Sequence, residues 1–549
     1  MKRKFNNIGI IVFSTLAIVC LNFNFGIRTA AQTKKPILST APTLQPTPAP
    51  KQTPTASPTV SPAPAQFSPQ YQTLPEVQNK IQTVLTRPEL RRGQVGIKIV
   101  SLDTGKTVFE TNAEKYFMPA SNMKSYTIAA ALERLSPDFR FVTSVYAPAP
   151  PDVNGVIRGD LTVFGRGDVS FSTAFYEGDY YKGLDALAQK IAQSGVKRIE
   201  GNLVGDDNYF TGNAIPSGWE WDDLQWYYGA EISALPVNDN AVDLSIKPTS
   251  INAPCAVQVL PANMVMKIVN RCATSATGAK RDLQVVKKLD QNIIEISGTM
   301  AVDDKKGFQG YIAISRPAQL FVEMLRALLI QKGVVITGQN RLANAKDKTI
   351  FVAASSTPQV EITKLESPPL SLIAAKTLKP SQNTYTETIL RALGEQVGDK
   401  TDAKKESAER GLEVVHNFLL QAGIPADSVI QYDGSGLSRH DLVTPSSAVQ
   451  LYTFMSKSRY AIVWRDALTI GAVDGTLQNR FKGTLAAGNV RGKTGTIAQV
   501  SSLSGYLNSA SGEKFVFSII VNGVNEVKLR QSAIDEIVLA VANFNGKTN

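Results

Sequence analysis

Ten prolines fall within residues 36–69, interleaved with Thr, Ala, Ser and Gln. A stretch of this composition cannot bury a core, and extended polyproline II is its natural conformer. At ~3.1 Å per residue it would reach roughly 100 Å. It divides the chain, so a folded body is expected to start near Gln70. Ahead of it, residues 1–7 carry three positive charges, residues 8–21 form an apolar run of 14, and Thr29-Ala30-Ala31 supplies small residues. That is the charged, apolar and cleavage-site order of an export signal. A run of 14 falls short of the ~20 residues of a spanning helix. The expectation is a signal peptide at 1–31 cleaved near Ala31, a linker at 32–69 and an exported, periplasmic body. The alternative is an uncleaved anchor, with peripheral or N-terminal membrane association. Cys20 lies inside the apolar run behind the bulky Val19, which argues against lipid modification.

Charge narrows the function classes. The formal charge of the 549-residue chain is +11, but residues 1–75 hold seven Lys/Arg and no Asp or Glu, leaving +4 for the other 474. A weakly charged body with a basic tail does not meet the basic-patch criterion for nucleic acid. Two histidines, His416 and His440, leave little room for a His-rich zinc site or Ser-His-Asp chemistry, and no G-x-S-x-G elbow occurs. After export only Cys255 and Cys272 remain, 17 apart in an oxidising compartment. A disulfide contributing ~3 kcal/mol is expected, with two buried thiols as the alternative.

Alternating apolar residues at 95–100 and 107–110 flank the turn Asp103-Thr104-Gly105 and predict a hairpin. Residues 500–507 and 514–521 predict a second one near the other end. Ile534, Ile537, Val538 and Val541 space as the buried face of a terminal helix. The middle has strand-like runs at 159–164, 199–204, 242–247 and 293–300, and helical patterns at 181–195 and 317–333. An inserted, mainly β section at 146–345 is therefore expected, inside a domain built from 70–145 and 346–549.

Three short motifs carry chemistry. In Ser121-Asn122-Met123-Lys124 the serine and lysine share a helix face. A hydroxyl is a poor nucleophile until a base takes its proton. Lysine serves as that base when burial or a second cation lowers its pKa. S-x-x-K also occurs at Ser194 and Ser511, but only Ser121 precedes an apolar helix (Ile128, Ala131, Leu132, Leu135) that would bury its lysine. Ser381-Gln382-Asn383 follows Lys379-Pro380, which should end a helix at 370–378 and place the motif on a loop. Its hydroxyl can pass a proton and its amide can donate and accept. Lys493-Thr494-Gly495-Thr496 ends like a P-loop, but Ala487 stands where the first glycine should be. A cation and two hydroxyls on a strand edge suit a carboxylate instead.

Together, S-x-x-K, S-x-N and K-T-G form the active-site set of penicillin-interacting serine enzymes. With 260 residues between the first two motifs and 112 between the last two, the chain resembles the low-molecular-mass class C penicillin-binding proteins, D-alanyl-D-alanine carboxypeptidases and endopeptidases. Phe164-Gly165-Arg166-Gly167-Asp168 and Asp433-Gly434-Ser435-Gly436-Leu437-Ser438-Arg439 also look like that family. The resemblance covers about 70–549.

The resemblance implies an α/β (α+β) fold of the penicillin-binding, serine β-lactamase-like kind: an antiparallel sheet with helices on both faces, interrupted by the insertion. It implies Ser121 as nucleophile, Lys124 as base, Ser381 as proton relay and Asn383 as an orienting amide. Lys493, Thr494 and Thr496, with Gly495, would bind the terminal carboxylate. Peptidoglycan stem peptides and β-lactams are the implied ligands, with no cofactor and no metal. It also implies that an aromatic and an acidic residue of the insertion grip the stem's diamino-acid side chain. Trp219 and Asp222 are carried over, with Trp221 and Asp223 equally available. A β-lactamase, disfavoured by the long insertion, and a non-catalytic penicillin-binding sensor are the competing functions.

Overall fold

The computed structural model describes residues 72–343 and 359–548. The proposed signal peptide and linker lie outside the described residues. The first of two architectures is a six-stranded antiparallel sheet that unites the chain ends. Its order is Thr469–Ile470, Arg491–Ile497, Val500–Asn508, Lys514–Asn522, Gln94–Ser101, Thr107–Thr111. Both expected hairpins are present. The Gln94–Ser101 strand pairs with Lys514–Asn522, so residues about 400 apart in sequence lie side by side.

Period-2 alternation explains why helices cover both faces. Phe515, Phe517, Ile519 and Val521 point to one side and pack with Val77, Ile81, Ile534, Ile537, Val538 and Val541. These come from the helices Leu74–Leu85 and Val527–Ala542. Val516 and Ile520 point the other way, into a core shared with Met123, Ile128, Leu132, Leu451 and Met455. There the helices Met123–Leu135, Leu370–Leu378, Asn383–Val397 and Pro445–Lys457 gather.

The middle section distributes its strands over one five-stranded and three three-stranded sheets around a single second core. The helices Lys182–Gln193 and Pro317–Gln331 pack into that core. The strand expected at 199–204 is two strands, Arg198–Ile199 and Leu203–Asp206, in different sheets. The break is at Gly201, where a Cβ would lie 2.2 Å from the Gly159 carbonyl oxygen. Only a glycine lets the chain step between sheets there. At the junction with the body, Val142–Ala147 pairs with Val360–Glu366, so the five-stranded sheet reaches past residues 146 and 345 on both sides. A disulfide joins Cys255 and Cys272, with Cα atoms 5.4 Å apart. All described residues fall within one compact unit. Among them, no helix is long and apolar enough to cross a membrane.

Candidate active site

Ser121 sits in the short turn Ala120–Asn122 that leads into the helix Met123–Leu135. That helix is buried along almost its whole length, because it packs among the helices Leu370–Leu378, Asn383–Val397 and Ser407–Gln421. Lys124, three residues after Ser121, is therefore fully buried. Its Nζ lies 2.9 Å from Ser121 Oγ and donates to Asn383 Oδ1 at 2.5 Å and to the Ser435 carbonyl at 2.7 Å. Burial pushes the Lys124 pKa down to about 7, against the opposing pull of Asp433, Glu387 and Asp441. By sequence alone a neighbouring cation could equally have this effect. In the structure burial is the larger cause, and the repulsion falls on Lys493, whose pKa burial and then Lys124 lower well below the usual lysine range.

The S-x-N motif was expected on a loop. Instead Asn383 opens the helix Asn383–Val397, with Gln382 as its extended N-cap and Ser381 in the turn before it. Pro380 ends the preceding helix, and Ser381 turns the chain in the left-handed region at φ 66°. This kink aims its hydroxyl at the sheet, where Lys493 Nζ donates to Ser381 Oγ at 2.9 Å. Asn383 Nδ2 donates to the Tyr228 carbonyl at 2.8 Å, which leaves its oxygen for Lys124.

Lys493-Thr494-Gly495-Thr496 lies on the strand Arg491–Ile497. On its outer side the pairing with Thr469–Ile470 stops at Gly492, so the edge beyond is open to the Ser121 turn. Gly495 permits that approach: a Cβ there would lie 2.4 Å from the Pro119 carbonyl and 3.0 Å from Ser121 N. Thr494 Oγ1 donates to Thr476 Oγ1 at 2.7 Å, and Thr496 is exposed.

Asp433 organises the loop behind Lys124. Its carboxylate is fully buried. It accepts from Ser435 N at 3.0 Å, Ser435 Oγ at 3.0 Å, Gly436 N at 2.6 Å, Leu437 N at 3.1 Å and Ser438 N at 3.0 Å. Trp219 Nε1 is a further donor, at 2.7 Å. Trp219 is thus tied to this loop through its N–H, whereas Trp221 is 74% exposed. Asp222 is exposed, and burial first, then Asp222 and Glu220, push Asp223 up to about 6. Glu387, one turn after Asn383, is pushed up to about 8 by burial and by Asp433. In sequence Asp433 shows only as part of the family-like segment Asp433–Arg439, with no role attached to it. Among the described residues, no group of three or more His, Cys, Asp or Glu side chains is placed to hold a metal ion.

The family model described as D-Ala-D-Ala carboxypeptidase 3 (S13) matches residues 77–543. The chain is 31% identical to the D-alanyl-D-alanine carboxypeptidase of Actinomadura sp. (strain R39), over 82% of this chain and 81% of that one. It is 26% identical to the D-alanyl-D-alanine carboxypeptidase DacB of Haemophilus influenzae, over 82% and 90% respectively. Its fold is that of the crystal structure of penicillin binding protein 4 (dacB) from Haemophilus influenzae. The TM-score is 0.72 at 22% identity, over 85% of this chain and 99% of that one.

Proposed function

The chain belongs to the D-Ala-D-Ala carboxypeptidase 3 (S13) family, and on that premise we propose that Ser121 is its acylated nucleophile and Lys124 the base that activates it. It is a low-molecular-mass class C penicillin-binding protein, a serine D,D-peptidase acting on peptidoglycan stem peptides. A single observation carries the assignment of the base: a buried amine with a pKa near 7 lies 2.9 Å from a serine hydroxyl.

Ser121 Oγ attacks the carbonyl of the penultimate D-alanine as Lys124 takes its proton. The backbone N–H groups of Ser121 and Thr496 stabilise the resulting oxyanion, each typically worth 10²–10³ in rate. Ser381, held by Lys493, passes a proton to the leaving amine. In a carboxypeptidase the leaving group is D-alanine, and in an endopeptidase it is the cross-linked diamino acid. Lys493 and the hydroxyls of Thr494 and Thr496 bind the terminal carboxylate, while Gly495 keeps that strand against Ser121. Asn383 orients Lys124 and a substrate amide. Water then releases the acyl group. β-Lactams, as mimics of the D-Ala-D-Ala end, acylate the same serine. Asp222 pairs with the ammonium of the stem's diamino-acid side chain, and the ring face of Trp219 packs its methylenes. The inserted section runs from the strand at 142–147 to the strand at 360–366, a span supported by their pairing. The protein is exported, with its signal at 1–31 and the Pro-rich segment as a spacer.

Labelling with a tagged penicillin tests the assignment. Ser121→Ala should lose all covalent label with an unchanged circular dichroism spectrum, and Lys124→Ala should lose it too. Undiminished labelling of Ser121→Ala would overturn the assignment.

A further inference from the structure

A neutral amine has two N–H bonds and one lone pair. For Lys124 to accept a proton, the lone pair must face Ser121 Oγ, so both N–H bonds must be directed elsewhere. Two carbonyl oxygens take them, Asn383 Oδ1 and the Ser435 carbonyl. The direction of the lone pair thus depends on what fixes those two acceptors.

Both are fixed from one stretch of the middle section. The Tyr228 carbonyl accepts from Asn383 Nδ2 at 2.8 Å, so the amide must present its oxygen to Lys124. Trp219 Nε1 donates at 2.7 Å to Asp433 Oδ2, the carboxylate around which the Ser435 loop is wound. Two more contacts tie the same stretch to that loop. Glu220 pairs with Arg439 at 2.7 Å. At Gly218, with φ +81°, the backbone lies so close that a Cβ would sit 2.3 Å from Ser438 Oγ.

We propose that residues 218–228 are a positioning clamp that aims the Lys124 lone pair at Ser121, with the Trp219 N–H as its principal side-chain contact. Trp219 is then a positioning residue whose N–H serves every substrate alike, whatever its ring face contributes to stem-peptide binding. The clamp presupposes Lys124 as the proton acceptor. The charged groups facing Lys124 are Glu387 on the Asn383–Val397 helix, Asp433 and Asp441 in the loop, and Lys493 on the strand. Removing the indole N–H touches only Asp433 among these, and that carboxylate keeps its five donors from the Ser435 loop. A loosened loop admits water to Nζ, which weakens the burial that keeps its pKa low. The acidic limb of the rate profile should therefore move to higher pH.

The test uses the full chain with Trp219→Phe, which keeps a ring and removes the N–H. Acylation by a labelled penicillin and turnover of a diaminopimelate-bearing pentapeptide are each measured from pH 5 to 9. Both rates should fall by a similar factor of about ten near neutral pH, the scale of one hydrogen bond to a charged acceptor. Both acidic limbs should shift upward. A loss confined to the peptide would make Trp219 a substrate contact only, and equal losses without a pH shift would make it structural; either overturns the clamp. Unchanged rates overturn it as well. Should Trp219→Phe fail to fold, replacing Trp219 by its sulfur isostere, benzothienylalanine, asks the same question with the shape kept. Ser121→Ala is run in parallel. If it still labels, the assignment of the nucleophile has failed, whereas loss of its label beside an unaffected Trp219→Phe refutes the clamp alone.

Discussion

In the body, three neighbouring strands run eight or nine residues and bury both faces. In the middle section four smaller sheets share a core, and three of their strands are only two residues long. The strand Arg491–Ile497, paired along its length with one of the long body strands, carries Lys493 and Gly495 beside Ser121. The short strands leave long connections, and one of these, 218–228, leans onto the site. The body supplies every group proposed to bond with the reacting atoms. The middle section contributes contacts that orient those groups or grip the rest of the substrate. The site therefore belongs to one core but is tuned by the other.

A substitution in the body should break this division most severely. Gly495→Ala places a methyl against the Pro119 carbonyl and Ser121 N. Overpacking there should cost ~1–3 kcal/mol of stability. The displaced Ser121 turn should lose about 10²-fold or more in penicillin acylation, since misplacements near 1 Å have that effect. Thermal unfolding and labelling kinetics measure the two losses. Wild-type acylation would show that the strand and turn are not mutually positioned.

A substitution in the middle section should be selective instead. Asp222→Ala should lower kcat/KM for diaminopimelate-bearing peptides by about ten- to a hundredfold, the scale of a hydrogen bond to a charged group. Penicillin acylation, which involves no such side chain, should stay near wild type. Equal losses for both ligands would place Asp222 in support of the shared centre. The smallest effect on chemistry is expected at the disulfide. Cys255→Ser combined with Cys272→Ser should lower stability by ~3 kcal/mol in a denaturant titration while the acylation rate at 25 °C holds. A slowed acylation would mean that the second core reaches the site through more than residues 218–228.

How far each region could be read from sequence follows the same division. The end hairpins, the terminal helix and the Leu370–Leu378 helix were legible because their apolar residues repeat at one period over a full element. The strand at 199–204 was not, because Ile199 and Val204 look alike whether they share a sheet or lie in two. Asn383 was expected on a loop because Pro380 signals a break, and a break alone does not say how soon the next helix begins.

Sequence alone determined which chemical groups are on offer. Ser121 and Lys124 share a helix face by their spacing, and Ser381-Gln382-Asn383 and Lys493-Thr494-Gly495-Thr496 are short motifs whose residue types carry their chemistry. Whether Lys124 can be neutral, and where its lone pair points, only the tertiary structure decided. Its lowered pKa comes first from desolvation among helices far from it in the chain, Leu370–Leu378, Asn383–Val397 and Ser407–Gln421. Its orientation comes from the Ser435 carbonyl, from Asn383 as held by the Tyr228 carbonyl, and from Asp433 as held by the Trp219 N–H. Every residue has a backbone carbonyl, and a tryptophan N–H bonds to whatever acceptor the fold brings near. Neither leaves a pattern in sequence, because both act through position rather than through residue type.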